Sequence, residues 1–327
     1  MSDHRLRIAI PGGSGQVGHL LAQHFHEQGH TVTVFSRAPQ PMPWRVIAWD
    51  ISTPAVATDE WVDELAQSDV CVNLTGRSVN CRYTAANRRE IYDSRIRSTQ
   101  RLNEVFVALK NPPRLWLNAS TATIYRHALD RPMDEATGEL GGDEPGAPAS
   151  WNFSIKVARD WEQAFFSTST PRTRKIAMRS AITLSPDRGS VFEALLNLVR
   201  WGLGGKVGTG QQFVSWIHAV DFLRAVDWLI AREDFTGVVN LASPKPLPNQ
   251  DFMEAFRTAW GASIGLPVPA PIVEMGCFLM RTESELVLKS RRVVPGRLLD
   301  SGFKFLFPEW PAAIQDLAGS WKGAFHR

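Results

Sequence analysis

The eight residues PGGSGQVG, positions 11 to 18, constrain this chain more than any other stretch. They follow a short apolar run, RIAI at 7 to 10, and open a segment in which Val17, Leu20, Leu21 and Phe25 share one face at helical spacing. Gly29 stands where such a helix stops, and TVTVF (31 to 35) follows as a second apolar run. Strand, glycine turn, helix and strand in this order form a pyrophosphate holder. Gly12, Gly15 and Gly18 allow a tight turn and a close backbone approach, and the helix offers its positive end. The predicted dinucleotide contacts are Gly12, Ser14, Gly15, Gln16, Val17 and Gly18. A Walker-type phosphate loop does not compete, because Gly205-Lys206 lacks the earlier glycine and the following Ser or Thr.

Further β-branched runs continue the alternation: RVIAW (45 to 49), VCVNL (70 to 74), RLWLN (114 to 118), KIAMRSAITL (175 to 184) and GVVNLAS (237 to 243). Strands apolar on both faces and separated by helices predict a Rossmann-like α/β fold, a doubly wound parallel sheet. The texture changes at 185, where a glycine-rich WGLGGKVGTGQQ (201 to 212) and a Pro-rich, basic carboxyl-terminal stretch read as a smaller substrate domain. The expected division is 1–184 with 213–243 for the dinucleotide-binding domain, and 185–212 with 244–327 for the smaller one.

A formal net charge of +3 over 327 residues argues against nucleic acid as a partner, while a small acidic ligand stays acceptable. No apolar run is long enough to cross a membrane, and the charged amino terminus lacks a signal-peptide core, so the expected location is cytoplasmic. Cys71, Cys81 and Cys277 lack metal-like spacing and read as reduced thiols. The oligomeric state is left open by the sequence, an oligomer being compatible with it.

Together with the glycine spacing, DSRIRST (93 to 99), NASTATIY (118 to 125), FVSWIHAVD (213 to 221), GVVNLASPKP (237 to 246) and RRVVPGRLLDSGFKFLFPE (291 to 309) carry a wider resemblance. The chain resembles the extended short-chain dehydrogenase/reductase superfamily, and within it an atypical group of the NAD-dependent epimerase/dehydratase-like family that bears a carboxyl-terminal domain of unknown function. The resemblance implies a nicotinamide dinucleotide. Ser36-Arg37 stands where NAD-preferring relatives have an acid, and a guanidinium with a hydroxyl suits the 2′-phosphate of NADP(H). Asp50 resembles the adenine contact, and Leu74, Thr75 and Gly76 resemble the backbone wall beside the adenosine. Thr121 matches the hydroxyl that holds the substrate oxygen, with Ala119 and Ser120 beside it; Arg179 resembles a structural arginine, and Ser180 is expected near the nicotinamide amide. Asn80, Arg82 and Arg95 are expected to border the active region, each alternatively a solvated charge.

In the resembling enzymes a helix carries a tyrosine that delivers the proton and, four residues later, a lysine that assists it. Here that helix reads WNFSIKVARDWE, 151 to 162. Phe153, Val157, Trp161 and Ala164 define its inward face, shared by Ser154 and Ala158. Aligning Glu162 with the acid that often follows the family pair sets Ser154 in the tyrosine position and Ala158 in the lysine position; a slip of one residue gives Phe153 and Val157. Making Lys156 the lysine needs a tyrosine at 152, where Asn152 stands, and Lys156 is spaced for an ion pair with Asp160. Tyr125 is the expected substitute donor, facing the substrate space with Arg126 or the nicotinamide ring lowering its pKa, with a phenol packed at the rim as its equal alternative. His218 near Asp221 is a second option, with a structural role as its alternative. Gln211, Gln212 and Trp216 are expected to line a ligand pocket, and Arg291, Arg292 and Arg297 to form a basic cluster that steers an acidic substrate or caps a helix.

Two functions follow as expectations. One is an NADP-dependent oxidoreductase or nucleoside-sugar-epimerase-like enzyme for a small carbonyl or hydroxyl compound, sugar derivatives included, with Thr121 and Tyr125 in the chemistry. The other is a non-catalytic NADP(H)-binding or redox-sensing module. The retained glycine turn fits both.

Overall fold

A computed structural model describes residues 5–50, 59–142, 148–279 and 283–325; the first four residues and the side chain of Cys277 lie outside what is described. The first half alternates as expected: β1 (Arg7–Pro11), α1 (Gln16–Glu27), β2 (Thr31–Ser36), β3 (Arg45–Ala48), α2 (Glu60–Ala66), β4 (Val70–Asn73), α3 (Ala85–Ala108), β5 (Leu115–Thr121), α4 (Asn152–Phe166) and β6 (Arg174–Ser180). Then come β7 (Ile182–Leu184), α5 (Val191–Arg200), β8 (Phe213–Val214), β9 (Trp216–His218), α6 (Ala219–Ala231), β10 (Gly237–Leu241) and β11 (Leu247–Pro248). Helices α7 (Asn249–Trp260), α8 (Ala270–Leu279), α9 (Glu285–Leu288), α10 (Gly296–Asp300) and α11 (Trp310–Phe325) complete the chain.

Seven strands form one sheet in the order β10-β6-β5-β4-β1-β2-β3, and every pair is parallel. Successive side chains of a strand point to opposite faces, and here both faces are covered. Ile8, Ile10, Val70 and Val72 pack with Leu21 and Phe25 of α1 and Phe222 and Leu229 of α6. Ala9, Cys71 and Trp116 pack with Trp61 of α2, Phe106 of α3 and Phe165 of α4. Each large side chain so removed from water stabilises the fold by about 1.5–3 kcal/mol. The chain is a doubly wound α/β protein whose strand order reverses between β1 and β4.

The run KIAMRSAITL departs from its expected single strand. Ala181 N donates to Leu241 O at the sheet edge, and beyond it Ile182–Leu184 leave to pair with β9. The cause is a second core, where Leu184 and Trp216 join Phe192 and Leu196 of α5, Phe252 and Phe256 of α7, and Trp310 and Trp321 of α11. Trp216 and Trp310 stack edge to face with centroids 4.9 Å apart. Asp221 ties the carboxyl-terminal segment to the large sheet, its carboxylate accepting from Leu306 N and Phe307 N at 2.8 Å each. His218 caps α6 through Val220 N and lies on Phe307; it is buried, and that burial lowers its pKa.

Candidate dinucleotide and proton-transfer site

The glycine turn sits at the strand-order reversal, where open α/β sheets bind their ligands. Gly12 has φ +76°, and a Cβ there would lie 2.6 Å from Thr75 Cα, so the turn presses directly on the segment after β4. A Cβ on Gly18 would come within 2.4 Å of Gly13 Cα, which brings the start of α1 against the turn. Gly15, by contrast, meets nothing within 4 Å, and Ser14 beside it is exposed. The N-cap of α1 receives no side-chain hydrogen bond, and its first turn holds no acid. A backbone compressed from behind, open in front and uncapped fits a diphosphate at the helix's positive end. Gln16 Nε2 donates to Ser185 Oγ at 2.9 Å, linking this turn to the segment before α5.

On the adenosine side, β2 ends in Ser36, buried and accepting from Ala38 N, followed by the exposed Arg37. Asp50 is exposed two residues beyond β3. Leu74 and Thr75 are half-buried and Gly76 exposed, held in part by Leu74 N donating to Pro11 O and Thr75 N to Asn73 Oδ1. The Arg95 guanidinium lies against Gly76, where a Cβ would be 3.0 Å from Cζ. It donates to the carbonyls of Arg77 and Ile91 and sits over the Trp161 ring, and burial brings its pKa down to about 10.

At the other end of the reversal, Thr121 closes β5 with Ala119 and Ser180 half-buried nearby in register. Thr121 Oγ1 accepts from Thr123 N, which fixes the hydroxyl at the strand end. Down one side of α4 run Ser154, Ala158 and Glu162, each one turn below the last. Glu162 reaches Ser120 Oγ, which donates at 2.6 Å, and Ala158 packs with Ala122 and Ile124. Ala158 is thus the residue of this line that packs on the segment after Thr121, and Ser154 stands one turn above it. Ser154 Oγ donates to Glu285 Oε2 at 2.6 Å, and the Tyr83 hydroxyl lies 3.3 Å away.

Several expected residues are placed elsewhere. Tyr125 does not face a substrate space. It is 1% exposed, its hydroxyl donating to Asn240 Oδ1 and accepting from Arg179 Nη1, while Arg126 is occupied by Asp130 and Glu139. Burial pushes the Tyr125 pKa up, against the neighbouring Arg179. Ser120 is buried and turns its hydroxyl to Glu162. Gln212 is buried against Val207 O, Gln211 is exposed, and Trp216 lies in the second core, so the three do not line one pocket. The basic cluster is dispersed: Arg297 donates to Thr236 and Val238 carbonyls, Arg292 covers the Phe213 ring, and Arg291 is buried beside Thr123. Asn80 is exposed, and Arg82 lies 3.8 Å from Glu283. Lys156 pairs with Asp160 at 2.7 Å on the solvent side.

Sequence reasoning missed Tyr83, Thr123, Glu285 and Lys289. Glu285 is 3% exposed and Lys289 is 1% exposed, its Nζ donating to Thr123 O at 2.9 Å. The one local signal was a Glu and a Lys four apart in ELVLKSRR, which reads equally as a solvated helix face. Among the described residues no group of three or more His, Cys, Asp or Glu side chains is arranged to hold a metal. No helix there is long and apolar enough to cross a membrane.

Fold and turn together define a dinucleotide-binding α/β protein of the extended short-chain dehydrogenase/reductase type. A model of the NAD dependent epimerase/dehydratase family matches residues 8–242, and one described as Domain of unknown function (DUF1731) matches residues 268–317. The chain belongs to the NAD dependent epimerase/dehydratase family. Epimerase family protein SDR39U1 of Bos taurus is 30% identical over 316 residues, covering 95% of this chain and 99% of that one. The crystal structure of human SDR39U1 with NADPH is similar with a TM-score of 0.80 at 28% identity, over 96% of this chain and 99% of that one. A nucleoside-diphosphate sugar epimerase from Corynebacterium glutamicum is similar with a TM-score of 0.74 at 27% identity, over 97% of this chain and 59% of that one.

Proposed function

We propose that this protein binds NADP(H) at the glycine turn and acts as an oxidoreductase or epimerase-like enzyme on a small carbonyl or hydroxyl compound, sugar derivatives included. The observation that carries the reading is the turn itself, packed on Thr75 from behind and open at Ser14 and Gly15. The exposed Arg37 at the end of β2 favours the phosphorylated cofactor, since a guanidinium holds a 2′-phosphate bidentately where an acid would repel it. The human relative's structure with NADPH supports the same choice. A bound nicotinamide supplies hydride exchange with a carbonyl or carbinol carbon. The chain's own task is to position the oxygen, for which Thr121 is the candidate, and to exchange a proton with it.

A second reading, an NADP(H)-binding or redox-sensing module without turnover, draws on α4, which holds no tyrosine, and on the buried position of Tyr125. Cofactor titration followed by single-turnover oxidation of bound NADPH across a carbonyl panel separates the readings. NADPH is expected to bind tighter than NADH, and Arg37→Asp to cost NADPH about 10- to 100-fold while sparing NADH. Absence of affinity for both nucleotides, or an unchanged preference in Arg37→Asp, sinks the cofactor assignment; tight binding with no oxidation by any carbonyl selects the second reading.

A further inference from the structure

We propose that Glu285, carried by the carboxyl-terminal segment, is the proton source of this site, acting through the Ser154 hydroxyl on the oxygen of a carbonyl substrate. The inference rests on the oxidoreductase reading above and names the proton path that reading lacks.

The geometry has three parts. Ser154 tops the line Ser154, Ala158, Glu162 on α4, whose lower members pack at the end of β5 with Ser120 and Ala122. Its hydroxyl is 2.6 Å from Glu285 Oε2. Glu285 is in turn joined to the Thr121 segment: Arg291 reaches the Glu285 carbonyl with Nη1 and Nη2 and donates from Nε to Thr123 Oγ1, while Thr123 N donates to Thr121 Oγ1. The hydroxyl that would hold a substrate oxygen and the residue that carries the acid are thus linked through Thr123 and Arg291.

The acid itself is unusual. Glu285 Oε1 is buried and has no hydrogen-bond partner among the described residues. A buried carboxylate oxygen left unpaired carries a desolvation cost that a proton removes. Burial raises the Glu285 pKa above its ordinary value, against the pull of Arg291, the Ser154 hydrogen bond and Lys289, with Glu283 adding to the rise. From the other elements it is faced by Tyr83, whose own neighbours are Arg95 and Glu283, and by Ser154. The Tyr83 pKa is also raised, burial being the main cause, so the phenol keeps its proton and is a poor donor.

The step balances as follows. As the carbonyl carbon accepts hydride from NADPH, its oxygen takes the Ser154 hydroxyl proton, and Ser154 Oγ takes the proton from Oε2 of the neutral Glu285 carboxyl, the 2.6 Å bond between them then running from the acid to the hydroxyl. The carbonyl is reduced to an alcohol, NADPH is oxidised to NADP⁺, and Glu285 remains as a carboxylate beside Arg291 until solvent reprotonates it. Ser154 is the catalytic residue in this scheme, and Glu285 positions and recharges it.

The test has an optical arm and a kinetic arm on the full-length protein. Infrared difference spectra of NADPH-loaded wild type against Glu285→Gln at pH 7 should show a protonated carboxyl band that shifts in Ser154→Ala. Absence of that band overturns the proposal. With aldehydes and diketones as probe oxidants of NADPH, Glu285→Gln should lower kcat by about 10²- to 10⁴-fold, as loss of a general acid does, with KM and NADPH affinity unchanged. The wild-type rate should fall as pH rises through the raised pKa, and that alkaline limb should vanish in Glu285→Gln and return in part in Glu285→Asp. Ser154→Ala should match Glu285→Gln, with the double variant no worse than either. A wild type that oxidises NADPH while Glu285→Gln keeps its rate and alkaline limb overturns the relay alone, as does a rate abolished only by Tyr83→Phe. A wild type that binds NADPH and never turns over overturns the enzyme reading and the relay together.

Discussion

The two ends of α4 hold the same chemistry in opposite states. At the lower end Glu162 is closed on every side: Arg179 donates from Nε and Nη2, at 2.8 and 2.6 Å, and Ser120 adds a third bond. Burial opposes the charge on Arg179, yet the hydrogen bonds and charge of Glu162 outweigh it and hold the guanidinium above its ordinary range. At the upper end Glu285 has one side-chain partner, Ser154, and one oxygen with none among the described residues. A buried acid with both oxygens paired, as Glu162 is, serves the fold. One left half-filled is free to carry a proton, so incomplete pairing marks where protons move.

The strongest challenge to this contrast is Arg179→Met, which leaves Glu162 buried and uncompensated. It should cost about 3–5 kcal/mol in urea unfolding. A loss below 1 kcal/mol would mean that the pair is not structural. Gly18→Ala comes next, because its Cβ meets the Gly13 backbone at 2.4 Å. It should cost at least about 2 kcal/mol and weaken NADPH binding, read by melting with and without nucleotide.

Glu285→Gln gives a smaller effect with a diagnostic sign. Because folding raises this carboxyl's pKa, the wild type enjoys the full benefit below the ordinary carboxylate range and loses it as pH rises through the raised value. The amide carries no such dependence, so the variant's stability relative to wild type should climb by about 1 kcal/mol between acid and mildly alkaline pH. A difference flat with pH would show that the Glu285 carboxyl does not change its protonation on folding. Lys156→Ala should change stability by only about 0.3 kcal/mol, since the Asp160 pair is on the surface. A larger loss would give that end of the helix a role the contrast denies it.

The parts of the molecule that were legible in the sequence are those written locally. The glycine turn, the apolar strands and Gly29 follow from residues within one turn or strand of each other. The inward line of α4 follows from periodicity alone. Ser154 in the tyrosine position came instead from the resemblance, aligned on Glu162, with Phe153 as the alternative one residue away. Tyr125 was misread because NASTATIY reveals that a phenol follows the strand end but not which way it turns. Asn240 and Arg179, from β10 and β6, draw it inward. Gln212 and Trp216 went the same way, since a glycine-rich loop near an indole reads as a pocket until a second core claims both.

By itself, then, the sequence determined the α/β layering, the glycine turn and the inward face of α4, because each depends on spacing within a short segment. Tertiary structure alone decided which acid stands beside Ser154. Glu285 is 131 residues away along the chain. Its proximity is set by packing of the carboxyl-terminal segment on the Tyr83 and Thr123 loops, and its appetite for a proton comes from burial, which no local pattern encodes.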